Sequence, residues 1–142
     1  MSDLKLRGHV GGSGSVILQS ANTNSALTQT LPSTDSVTLG YLNVPPVGTK
    51  TSVYTLAAAD VGKYVQLGTN GNVTIIDGVF AEGDVVTVFN NTANAISMNC
   101  AITTAYISGT DSDKATVNIA SRGLATILFI SSNTCVITGS VS

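Results

Sequence analysis

Charge is what this chain has least of: only 10% of its 142 residues are Asp, Glu, Lys or Arg, against roughly 25% in ordinary soluble domains. Six basic and eight acidic residues leave a net charge of -2, with no block of either sign. A nucleic-acid partner is therefore not expected, because displacing phosphate counterions takes clustered Lys and Arg. No apolar run exceeds strand length, the stretch 124–130 being among the longest, so no membrane span is expected either. The opening MSDLKLRGHVGGSGS has no apolar core of a secretion signal, which predicts synthesis and assembly in a cytoplasm.

The scarcity extends to reactive groups. The only histidine, His9, sits in a glycine-rich stretch that would not hold a base in place, so the abundant serines have no partner for nucleophilic catalysis. The GGSGS segment lacks the Lys and the strand-to-helix setting of a phosphate loop. Cys100 and Cys135 lie in apolar surroundings, ISMNC and TCVITG, and read as buried thiols packing as small hydrophobes; a disulfide is the lesser alternative. With His9 remote from both, no metal site is expected.

Eight carboxylates are scattered, and their spacing alone leaves a glycosidase pair open. Asp60, Asp77, Asp84, Asp111 and Asp113 nevertheless stand where turns favour Asp, whose side chain bonds the nearby backbone. The pair Asp111 and Asp113 supplies too few oxygens for calcium. No catalytic, cofactor or metal residue is expected, and the chain reads as no enzyme. Trp is absent and the four tyrosines are Tyr41, Tyr54, Tyr64 and Tyr106. Tyr54 and Tyr64 flank a helix-like turn and are expected to pack beneath it. A sugar-stacking platform is correspondingly weak.

What the chain does contain is a series of short strand patterns. Residues 1–15 are polar and glycine-rich, GHVGGSGS reading as a tether. Strand-like pieces follow at 15–19, 27–31 and 36–42. The segment Val44-Pro45-Pro46-Val47-Gly48 then reads as a break that propagates no ladder. This divides the chain into an extended arm, 1–45, and a body, 46–142. In the body, strand patterns fall at 52–56, 63–67, 73–76, 84–90, 95–100, 103–107, 115–119, 124–130 and 134–138, with one helical turn at 57–61. The turn GTNGN, through Asn70-Gly71, signals a hairpin. No stretch keeps helical spacing over three turns.

Recurrent short strands with Asn, Gly and Asp turns predict an all-β fold, an antiparallel sandwich or jelly roll. The expected core is Leu56, Val65, Leu67, Val73, Ile75, Val86, Val88, Ile96, Ile127, Phe129, Val136 and Ile137. Strands 84–89 and 124–130 carry apolar residues on both faces, which suggests burial on both sides. So little charge on a lone subunit would leave much uncharged surface in water, so association with copies of itself or with a larger assembly is expected.

Three stretches carry a resemblance: YTLAAADVGKYVQLGTNGNVTI, VFAEGDVVTVFNNTANAISMN and RGLATILFISSNTCVITGSVS. Their order resembles a β-domain recurrent in tailed-bacteriophage virion proteins: fibres, head fibres and capsid-decorating subunits. Asp60, Gly62, Lys63, Gly83, Asp84, Gly123, Thr126 and Gly139 occupy its motif positions. The chain departs from the pattern at Ile76-Asp77, where a Pro is usual, and at Cys135, where a Trp is common. The resemblance implies a capsid decoration or cement subunit on the virion surface, a homotrimer bridging major capsid proteins, with no catalytic residues. The alternative it leaves is a head-fibre or tail-fibre module that binds a host-surface glycan. An arm that orders on docking would add contact area at an entropic cost.

Overall fold

Alternation of buried and open side chains is the rule along the strands, because successive residues of an extended chain point to opposite faces. The computed structural model describes residues 43–142. The tether, the three strand patterns at 15–42, His9 and Tyr41 lie outside the described residues. Among the described residues the fold is all-β, with ten strands, one short 3-10 turn and two sheets.

The strands are β1 (Pro46–Lys50), β2 (Val53–Thr55), β3 (Tyr64–Leu67), β4 (Asn72–Ile76), β5 (Val85–Asn90), β6 (Ile96–Ala101), β7 (Thr104–Ile107), β8 (Thr116–Ile119), β9 (Leu124–Ser131) and β10 (Thr134–Gly139); the 3-10 turn is Ala58–Asp60. The first sheet runs β1-β3-β5-β9-β10-β7 and the second β2-β4-β6-β8. The chain changes sheet after every strand up to β9. Only β9 and β10 follow one another in the same sheet.

That alternation corrects the expectation of antiparallel pairing. From β1 to β6, each strand that leaves its sheet, crosses through the other and returns runs in its original direction. Accordingly β1 with β3, β3 with β5, β2 with β4 and β4 with β6 are parallel, as is β7 with β10. Antiparallel pairs are confined to β5 with β9, β9 with β10 and β6 with β8. The first six strands thus wind as a parallel coil. Successive turns take 17 to 25 residues, the separations of Gly48–Val65 and Thr74–Asn99. Period-two alternation reports which face is buried but is identical for either strand direction.

Two local expectations change with it. Asn70-Gly71 is not a hairpin turn but a corner that hands the chain from β3 in one sheet to β4 in the other. Asn70 adopts φ 65° there, and a Cβ on Gly71 would collide with the Lys50 carbonyl oxygen. The Pro45-Pro46 segment is not a break either. Pro46 opens β1, which among the described residues is an edge strand paired only with β3, where a missing N–H removes little. The Pro45 carbonyl still accepts a bond from the Tyr64 amide at 3.1 Å.

Buried side chains from both sheets form one cluster. Every expected core residue is buried except Ile96, which packs at the margin, and Val136, which faces outward between the buried Cys135 and Ile137. Phe80, from the loop between β4 and β5, also enters the core. It stacks on Phe129 with ring centroids 3.9 Å apart and planes 14° from parallel. Cys100 and Cys135 are buried free thiols, as their apolar surroundings predicted.

Where β10 ends, Gly139 takes φ 127° and lies so close to the Leu124 carbonyl that a Cβ would collide with it. Gly139→Ala should therefore destabilise the fold by about 1–3 kcal/mol, read as a lower melting temperature. An unchanged midpoint would show that β9 and β10 can separate there without loss.

Candidate functional site

The outward side chains of the first sheet fall into rows because neighbouring strands are held in register. One row is Val85, Leu128, Val136 and Tyr106, crossing β5, β9, β10 and β7. Another is Tyr64, Thr87, Thr126 and Thr138. A third joins Gln66, Phe89 and Leu124. None of these residues is charged. Leu124, Leu128 and Ile130 are 51%, 41% and 45% exposed, high values for large apolar groups on regular strands.

At one side of this face Val44, Tyr64, Gln66, Thr87, Phe89 and Leu124 line an open groove of about 450 Å³. Tyr64 was expected beneath the helical turn; the structure places it in this groove instead. Tyr54 does pack against the core, and its hydroxyl donates to both carboxylate oxygens of Asp60, at 3.1 and 3.0 Å. Burial, and then the Asp60 carboxylate, push the Tyr54 hydroxyl above its ordinary pKa.

The outer face of the second sheet differs in character. Its rows are Thr55, Thr74, Asn99 and Thr116, beside them Ser97 and Asn118, and at the margins Val53 with Asn72 and Ile76 with Ala101; hydroxyls and amides dominate, although Val53 is 69% exposed. Among the described residues every charged side chain except Lys50, at the end of β1, belongs to a turn or loop. Among the described residues both broad faces are thus uncharged, and the first carries more exposed large apolar side chains than the second.

The aspartates act as structural ties. Asp60 accepts a bond from the Ala57 amide at 2.9 Å and Asp84 from the Ala81 amide at 2.8 Å, the local bonding expected of turn residues. Asp77 and Asp113 reach further. Asp77 accepts from the amide and hydroxyl of Thr103, at 2.8 and 2.7 Å, and Asp113 accepts from the Ala105 amide at 2.8 Å. Sequence spacing gave no sign of these long-range bonds. Among the described residues no group of three or more His, Cys, Asp or Glu could hold a metal ion, and no helix is long and apolar enough to cross a membrane.

No family model and no curated protein matches this chain. Asp60 closes the 3-10 turn, Gly83 and Asp84 precede β5, Gly123 precedes β9, and Gly139 ends β10.

Burial pushes the thiols of Cys100 and Cys135 up, to about 11 and about 12, and thiolates are the reactive form. The native protein at neutral pH should therefore leave both unlabelled by an alkylating agent, while the denatured chain reacts twice. Labelling of the native state at either position would show that the core opens there.

Hydrogen bonds from the Thr103 hydroxyl and then its amide hold the Asp77 carboxyl below its ordinary value of 3.8. A depressed carboxyl stabilises the fold above its unfolded value, and that contribution is lost as pH falls from 3.8 through the lower folded value. Asp77→Asn should remove this portion of the acid-induced fall in melting temperature. Superimposable profiles below pH 4 would mean that the tie is without consequence.

Proposed function

We propose that the chain is a non-catalytic structural subunit of a virus particle, of the capsid-decoration or cement type. Its body is read as a two-layer β-sandwich that forms a homotrimer and bridges major capsid proteins on the shell surface. The observation that carries this reading is the uncharged apolar face of the first sheet, with Leu124, Leu128 and Ile130 half open to water. Surfaces of this kind mark places where a protein meets another protein.

The dimensions bear on self-association. Five inter-strand spacings of about 4.8 Å, and about 18 Å for the mean length of the six strands, give a face of roughly 440 Å². A standard interface buries about 800 Å² on each partner, so the face would supply about half of one and the flanking loops the rest. The side around Tyr64, Phe89 and Leu124 on one copy can meet the side around Val136 and Tyr106 on the next, and the ring closes with no open end. Absence of charge removes both like-charge repulsion and the desolvation penalty that buried ions would bring.

Joining shell proteins needs contact area rather than chemistry, which agrees with a site built of Leu, Ile, Val, Phe and Tyr. The resemblance to phage virion domains points the same way. The full chain should sediment at trimer mass at micromolar concentration. Placing Lys at Leu128 and Ile130 together should shift it to monomer without unfolding, because both side chains already meet solvent. A wild-type species of monomer mass that does not change on concentrating would refute trimerisation in solution. Imaging the particle tests the location: density over the shell supports the decoration reading, and density on the tail alone overturns it.

A further inference from the structure

Away from the apolar face, three connections meet at one end of the body: the β3–β4 corner, the β5–β6 loop and the β8–β9 turn. They enclose an open cleft of about 460 Å³ lined by Thr69, Asn70, Asn91, Asn94, Ile96 and Arg122, among others. That volume lies within the roughly 300–1,000 Å³ usual for small-ligand sites.

The cleft is held from below by Asn90, which is fully buried. The Asn90 amide nitrogen donates to the carbonyls of Asn94, Ile119 and Ala120, at 2.8, 3.2 and 2.9 Å. Its amide oxygen accepts from the backbone and hydroxyl of Thr92, at 3.0 and 2.8 Å. One buried side chain therefore fixes the β5–β6 loop against the β8–β9 turn. The rim differs from this satisfied floor. Among the described residues the side-chain groups of Thr69, Asn70 and Asn94 make no hydrogen bond.

Arg122 is the only charged residue of the lining. It stands at φ 54° in the tight turn closed by the bond from the Gly123 amide to the Ala120 carbonyl. Such turns favour Gly or Asn at a positive φ, and a long side chain there is strained. The Arg122 Nη1 donates to the carbonyl and side-chain oxygens of Asn91. The Nε and Nη2 donors have no partner among the described residues. The result is a fixed cation beside neutral amides and a hydroxyl, with no carboxylate in the lining.

We infer that this cleft binds a carbohydrate bearing a carboxylate, of the uronic acid type. Guanidinium donors pair with the carboxylate through charge-assisted bonds. The amides of Asn70 and Asn94 and the hydroxyl of Thr69 both donate and accept, as sugar hydroxyls require. Ile96 supplies an apolar wall for a ring face. The inference is independent of the assembly proposed above, because no residue of the cleft lies on the apolar face.

The test is an amide-resolved NMR titration of the full chain with glucuronate, glucose and inorganic sulfate. Glucuronate should shift the amides of Asn70, Asn91, Asn94 and Arg122 in the millimolar range, with glucose at least about tenfold weaker. Arg122→Gly should keep the melting temperature at or above wild type, since Gly suits that φ, while glucuronate affinity falls to that of glucose. Asn94→Ala, a change at the rim, should weaken both sugars. The inference is overturned by no shift at the cleft with glucuronate, by equal response to sulfate or to glucose, or by unchanged glucuronate affinity in both variants.

Discussion

Each strand up to β9 gives the chain to the opposite sheet, and the remaining features of the body follow from that crossing. A chain that buries alternate residues on one side must keep its apolar set facing the same core after each corner. Val65 and Leu67 in β3, Val73 and Ile75 in β4, Val86 and Val88 in β5 meet this condition, as does the later set of Met98, Cys100, Ile127 and Phe129. Crossing after each strand makes the early neighbours parallel. It also places the corners, with their Asn, Asp and Gly residues, at the ends of the body. The corners are tied by side chains as well as backbone, Asp77 to Thr103 and Asn90 to Ile119 and Ala120.

Because charge is kept to turns and ends, the two broad faces differ chiefly in their share of exposed apolar side chains. Thr, Asn and Ser on the second sheet need no cover. Val85, Phe89, Leu124, Leu128 and Ile130 on the first sheet lose favourable free energy while exposed, about 25 cal/mol for each Å² of apolar surface. This asymmetry gives the body a direction: one face suited to neighbours, the other to water, and an end cleft with different chemistry from both.

Some of this could be read in the residues. The alternation in VTII and VVTVFN located β4 and β5 within a residue or two, and the apolar settings of Cys100 and Cys135 predicted their burial. The continuous apolar run LATILFI signalled a strand with two apolar faces. Val136 shows the limit of such reading. In CVI every residue is apolar, so the pattern could not say which one turned outward; pairing with Leu128 and Tyr106 decided it. Phe80 and the long-range bonds of Asp77 and Asp113 were likewise hidden, since each depends on a partner remote in sequence.

The amino-acid sequence by itself determined the all-β class, the places of most strands and most of the core, because these rest on period-two alternation and on residues that stop a strand. Strand direction, the corner at Asn70-Gly71, the gathering of outward apolar residues into one face and the setting of Arg122 among amides were decided by tertiary structure alone. Each is a relation between segments far apart in the chain, set by hydrogen-bond register and by which sheet a strand joins, and local pattern carries neither.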